Sequence, residues 1–354
     1  MILRLTCFLI CTVLCSPAFA AAFVYVSLSA ENKIEIYLLD DTGALTQIGK
    51  QATPGDPGGI KVHPSKNFMV AAMRDVGKLV SFSIDPNDGT LSLINEVKVD
   101  VDPAYVEFDK TGKFLLTAYY VTGKAAIHRV SEKGRISSDG TWYATDDKAH
   151  GIVTDKTNRW AFVPHTGPNA IFQFHFKESD GTLAPNSIAE KVQFESNTGP
   201  RHFSLHPNNR FAFTDLEQGS SITSLAFDEN TGTLKPTQTL STLPDGYDKP
   251  NSCARMELHP SGKFVYASNR GHDSIAGFSI DASSGKLTRV GIFRTEKTPR
   301  GFAIDPSGKF LVAAGEGSNR LAVYQIATSG VLSRIGTYAT GAKPWWVAMV
   351  AIPD

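Results

Sequence analysis

Six segments of this 354-residue chain repeat one pattern, and they predict an all-β fold, a seven-bladed β-propeller with four antiparallel strands per blade. The segments are PGGIKVHPSKNFMVAA, PAYVEFDKTGKFLLTA, AHGIVTDKTNRWAFVP, PRHFSLHPNNRFAFTD, CARMELHPSGKFVYAS and PRGFAIDPSGKFLVAA. The His or Asp before each turn falls at His63, Asp109, Asp155, His206, His259 and Asp305, roughly 46 to 53 residues apart, a blade's length. Two further observations carry the prediction: apolar residues alternate with period two between the turns, and the incomplete units at the two chain ends complement each other.

Within a unit the order is regular. A first strand leads to the repeated turn, and a second apolar run follows. A polar turn comes next, then an alternating third strand such as SIAGFSID, LVSFSIDP or IFQFHFKE. An Asp-x-x-x-Gly-x-Leu turn, as in Asp85 to Leu91 and Asp281 to Leu287, opens the short outer strand. No segment has the 3.6-residue period of an amphipathic helix. Residues 23–49 supply the second, third and fourth strands of one more blade, and Lys343-Pro344-Trp345-Trp346-Val347 supplies a first strand with nothing after it. Together they make the seventh blade and close the ring, which removes the open sheet edge.

The composition is that of an ordinary globular protein, 42% hydrophobic and 20% charged, with formal net charge zero. A nucleic-acid binder needs a basic excess, and there is none. The first twenty residues read MILRLTCFLICTVLCSPAFA, with Arg4 ahead of an apolar run and small residues at the end. That is the pattern of a secretory signal peptide cleaved near Ala20, leaving residues 21–354 as the propeller. The apolar run is short of the roughly 20 residues that span a bilayer. The expectation is an exported, periplasmic or extracellular protein, a monomer with no membrane attachment. Cleavage removes Cys7, Cys11 and Cys15, so Cys253 is left without a disulfide partner or a cysteine-rich metal site. Cys253 is expected to be packed rather than reactive.

Propeller topology sorts the polar residues onto two faces. The turns carrying His63, His206 and His259, interchangeable with Asp109, Asp155 and Asp305, lie on one face, where a short acceptor bonds local backbone N–H groups. First-strand starts and second-strand ends share the other. The starts are Gly58, Ala104, His150, Arg201, Ala254, Arg300 and Trp345; the ends bring Arg74, Tyr119, His165, Glu217, Arg270 and Glu316. Every blade packs the same way, so change at equivalent positions points to function. Arg201 with Glu217, and Arg300 with Glu316, are placed as cross-strand neighbours; the alternative for each is an ordinary strand-end salt bridge. The pair Trp345-Trp346 reads more simply as core packing. His128 and His175, on alternating third strands, are expected at the surface or between blades.

Ser268-Asn269-Arg270-Gly271-His272-Asp273-Ser274-Ile275 closely resembles the signature of the seven-bladed propeller lactonases, the group of propeller-type 6-phosphogluconolactonases and carboxy-cis,cis-muconate cyclases. Pro299-Arg300-Gly301-Phe302, Gly199-Pro200-Arg201-His202-Phe203 and the loop Leu243-Pro244 to Asn251 fit it too, so the resemblance covers nearly the whole mature chain. It implies a catalytic set of His150, Arg201, Glu217 and Arg270; the rim positions and their neighbours add Arg300, His202, His272, Glu316, His165, Arg74 and Trp345 as further candidate substrate contacts. It implies no metal and no cofactor. Where many members have Asp-Leu-Gly this chain has His165-Thr166-Gly167, and where many have a nearby glutamine it has Glu316.

The residue types suit that chemistry. Two arginines can hold a carboxylate or phosphate, or stabilise the oxyanion formed at a lactone carbonyl. His150 or Glu217 can serve as general base. The expected activity is metal-independent lactone hydrolysis, or the reverse cycloisomerisation, on a small anionic lactone or carboxylate. The competing class is an exported propeller that binds a ligand or partner protein without turnover.

Overall fold

A computed structural model of the protein describes residues 22–352. The leader expected over residues 1–20 lies outside the described residues. All regular elements among the described residues are strands, arranged as seven antiparallel sheets.

Blade one joins the two ends of the chain, in the order Pro344–Ala351, Ala22–Leu28, Lys33–Leu39, Leu45–Ala52. Blades two to seven follow in sequence, and their first strands are Pro57–Val62, Pro103–Phe108, Val153–Thr154, Pro200–Leu205, Cys253–Leu258 and Pro299–Ile304. Closure runs through seven residue pairs between Ala22–Leu28 and Pro344–Ala351, among them Val26 with Val347. Blade four departs from the plan. Its first strand is two residues long, extended by an isolated bridge from Ala149 to His165, and its outer edge is split between Thr182–Pro185 and Lys191–Gln193.

Burial explains the local sequences. Second strands such as Phe68–Met73, Phe114–Tyr119 and Phe310–Gly315 are buried on both faces. They therefore read as continuous apolar runs, with Ala71, Ala118, Ala313 and Ala314 among their small residues. Outer strands such as Leu45–Ala52 keep the polar alternation of one wet face. In the outer turn Gly89 has φ 72° and its N–H donates to Asp85 O at 2.8 Å, which is why Gly recurs there. Tyr25 of blade one donates its hydroxyl to Gly89 O of blade two, and Tyr266 does the same to Gly330 O between blades six and seven.

The repeated turn histidines join blades. His63, His206 and His259 reach the turn carbonyls of Gly112, Gly262 and Gly308 through Nε2 at 3.1, 2.9 and 2.8 Å, while Nδ1 of His63 and His259 faces Ser65 and Ser261. Asp109, Asp155 and Asp305 accept local backbone N–H groups, as from Phe114, Trp160 and Phe310. His175 is exposed on its outer strand. His128 differs from the expectation: it is buried within its own blade, against Trp142 and beneath Gly140.

Candidate active site

The second residue of the first strand sits at a β-bulge in six blades. Register slips between Pro57 and Ile60, Pro103 and Tyr105, Pro200 and Phe203, Cys253 and Met256, and Pro299 and Gly301, and again at the Pro344 end of blade one. A bulge frees one residue from the ladder and re-aims its side chain. Here it presents Arg201, Arg300 and Trp345 toward the central opening. In blades two to seven the residue just past the second strand faces the same rim, six positions after the aromatic that starts it: Arg74, Tyr120, Thr166, Glu217, Arg270 and Glu316. By that count Tyr120 and Thr166, not Tyr119 and His165, hold the rim positions of blades three and four.

Glu217 is the pivot. Arg270 Nη2 of the neighbouring blade donates to its Oε1 at 2.6 Å. Arg201 Nε approaches Oε2 at 3.2 Å, an ion pair by distance but too poorly angled for a hydrogen bond, so both atoms stay without a hydrogen-bond partner. Burial opposes ionisation of Glu217, but Arg201, Arg270 and Arg300 outweigh it and hold its carboxyl below the usual carboxylate range. Arg270 Nη2 also donates to Cys253 O at 2.8 Å. Arg201 is 3% exposed; burial lowers its guanidinium to about 10 with Glu217 opposing, and burial lowers Arg300 to about 9 with Arg201 and Arg270 adding repulsion.

Arg300 and Glu316 are only loosely paired, at 3.8 Å. Arg300 instead lies 3.6 Å over the Trp345 ring, with Arg74 at 5.2 Å from the same ring. The two tryptophans thus divide: Trp345 stands at the rim, and Trp346 is buried in the channel wall against Tyr105, His202 and Arg255. Arg74 is ion-paired with Asp102 of the next blade.

His150 is 4% exposed, edge-on to Tyr120 and His202 with ring centroids 5.5 Å away in each case. Burial, then Arg201 and Arg74, push its pKa well below the usual value, so the ring is neutral at pH 7. Its Nδ1 has no partner. Arg201 Nη1 lies 3.2 Å from His202 Nε2 and 3.5 Å from Nδ1, so the guanidinium straddles the imidazole. Arg201 Nε, Arg270 Nε, Arg300 Nε, Glu217 Oε2 and His150 Nδ1 all lack hydrogen-bond partners. Buried polar atoms are nearly always satisfied, so this concentration of open donors and acceptors leaves the rim able to bind a polar group.

Two other candidates are held elsewhere. His165 is fully buried with Nδ1 facing Val163 O at 2.8 Å and Nε2 facing Thr145 Oγ1 at 2.9 Å. Both nitrogens are engaged and burial lowers it to about 4, so the structure does not bring it to the rim. His272 is packed in its turn beneath Tyr247, with Nδ1 facing Ser274 Oγ at 2.8 Å. Much of the Ser268–Ile275 segment does structural work beside Arg270. Asn269 ties to Thr242 and Asn251, and Asp273 accepts from Thr298 N. Gly271 is a close approach: a Cβ there would lie 2.1 Å from Pro250 O.

A cavity of about 560 Å³ opens on the opposite, turn-bearing face, lined by Lys61, Glu107, Lys156, Arg255 and Glu257 among others. His202 lines it and also meets His150, so this ring stands between the two mouths of the central opening. Among the described residues no three His, Cys, Asp or Glu side chains converge as a metal cluster.

A family model described as Lactonase, 7-bladed beta-propeller, matches residues 19–100 and 75–349. The chain belongs to this lactonase family. Two members named 6-phosphogluconolactonase, from Cronobacter sakazakii and Erwinia tasmaniensis, are each 31% identical to it, over 329 and 327 residues. Those alignments cover 93% and 92% of this chain and 98% of each relative. The solved structure of a periplasmic gluconolactonase from Pseudomonas aeruginosa superposes with a TM-score of 0.86 over 94% of this chain and all of that one, at 23% identity, which shows the shared fold.

Proposed function

We propose that the protein hydrolyses a small anionic lactone, using arginines rather than a metal to carry the charge. The observation that supports it most is the cluster of unpartnered guanidinium, imidazole and carboxylate atoms around one rim, in a chain of the lactonase family. Arg270 and Arg300 hold the substrate's carboxylate or phosphate, and Trp345 backs Arg300. Arg201 faces the lactone carbonyl and stabilises the oxyanion. His150, neutral and with an open nitrogen, takes a proton from the attacking water. The intermediate then collapses, the ring C–O bond breaks, and the imidazolium returns the proton to the departing alkoxide, leaving a hydroxy acid. Glu217 is already committed to two arginines, so its role is to fix them rather than to act as base. The relatives are named 6-phosphogluconolactonase, which supports hydrolysis over cyclisation as the direction we assign. The N-terminal leader supports export, so the substrate would be met outside the cytosol.

The test is a pH-stat screen of the purified protein on 6-phosphogluconolactone, gluconolactone and carboxylated lactones, corrected for spontaneous opening. His150→Ala should lower the rate about 10²- to 10⁴-fold with an unchanged melting temperature. Activity should persist below pH 6.5 before an acid limb appears, since the base must be deprotonated and its pKa is depressed. Full activity in a His150→Ala, Glu217→Ala double variant would overturn the assignment. Thermal stabilisation by a lactone without turnover would make the protein a binder.

A further inference from the structure

The bulge that aims Arg201 leaves the next N–H, that of His202, without a strand partner. Asp215, on the second strand of blade five, accepts it through Oδ1 at 2.8 Å. Blades six and one meet the same need with a hydroxyl. Ser268 Oγ takes the N–H of Arg255 and Ser27 Oγ that of Trp346, each at 3.0 Å. One serine therefore suffices to cap the bulge. Blade five instead places a fully buried carboxyl there, whose second oxygen, Oδ2, has no hydrogen-bond partner. An unsatisfied buried carboxylate oxygen is costly, and capping alone does not account for it.

The groups facing Asp215 explain what the extra oxygen does. Arg201 and the His202 N–H come from the first strand, and Glu217 lies two residues on. Cys253, from the adjacent blade, is close enough to feel its charge. Arg201 thus has Glu217 Oε2 3.2 Å from its Nε, and Asp215 stands across the same bulge, bonded to the N–H of the next residue.

We propose that Asp215 is a positioning residue that sets how tightly Arg201 holds an anion, because its carboxylate, when charged, competes with the ligand for that guanidinium. Burial raises Asp215 to about 7, with Arg201 and the His202 N–H opposing. It is neutral on the acid side of that value and charged on the alkaline side. Anion affinity at the rim therefore falls as pH rises through neutrality. This inference rests on the rim being the anion site proposed above.

The experiment uses sulfate, whose charge is constant over the range. Calorimetric titration compares the full-length protein with Asp215→Asn and Asp215→Ser at pH 6 and pH 8. Both variants keep a bulge-capping acceptor and should melt near the parent temperature. Parent affinity should weaken roughly fivefold from pH 6 to pH 8, the effect of one added charge several ångströms away in a partly wet site. The variants should show no such change. For a lactone substrate kcat should follow the same course, since Arg201 faces the oxyanion, while KM, set by Arg270 and Arg300, moves less. A pH effect that survives in Asp215→Asn, or is missing from the parent, overturns the proposal. A pH effect lost in both variants, with no lactone turned over, leaves the proposal standing and removes the lactonase reading instead. Absence of sulfate binding at both pH values overturns the anion site and this inference together.

Discussion

Replacing Glu217 by Gln keeps the volume of the side chain and removes the charge shared by Arg201 and Arg270. At N–O separations of 3.2 and 2.6 Å, each pair brings opposite charges to about 4 Å, worth about 4 kcal/mol at an effective dielectric near 20. Desolvation of a largely buried carboxylate cancels part of that gain. Breaking such a pair from one side typically costs about 3–5 kcal/mol, because the remaining charges stay buried. Here two guanidiniums would be left facing each other, so we expect a loss of about 3 kcal/mol by urea denaturation at pH 7 and low salt. Sulfate should recover part of it by standing in for the lost carboxylate. The folded-state carboxyl titrates below its unfolded value, so its stabilisation is present above about pH 4.3 and is lost as pH falls through the lower folded value. The gap between parent and variant should therefore narrow in acid. A gap under about 1 kcal/mol at pH 7, the value of an exposed pair, with no recovery by sulfate, would refute the role of Glu217 as shared counter-ion.

Three other outcomes follow from the same geometry. In Gly271→Ala the new methyl meets the Pro250 carbonyl, so the loop over Thr242–Ser252 must shift; a loss of about 1–3 kcal/mol and a raised KM are expected from melting curves and kinetics. Truncation before Pro344 opens the edge of Ala22–Leu28 and uncovers the blade-one core around Val347; gel filtration and light scattering should show aggregation, and a soluble monomer would contradict the sealing role of that strand. Cys253 is fully buried, and its thiol is pushed up to about 12 by burial and then by Asp215; it should resist a thiol reagent at pH 8 in the native state and react completely in denaturant.

The repeat made the blade count, the ring closure and the division into two faces legible from sequence. Those features depend on local rules: period-two alternation, turn chemistry and the need to pair every edge. The Arg201–Glu217 neighbourhood was legible too, because both lie on one hairpin. Tyr119 and His165 are the last residues of their second strands, one position short of the rim. Counting a fixed six positions from Phe114 and Trp160 would have found Tyr120 and Thr166.

What the chain determines by itself is the list of chemical groups and the blade on which each one rides. Tertiary structure decides which of them meet. The shortest contact of Glu217 in the site is with Arg270, 53 positions away on another blade, and no local pattern encodes that distance. Trp345 and Trp346 are adjacent in sequence, yet one carries Arg300 at the rim and the other lines the channel, because strand neighbours point to opposite sides. Asp215 shows no motif at all. Its meaning depends on a bulge that leaves one N–H unpaired within its hairpin and on the complete burial that the packed ring imposes on its carboxyl.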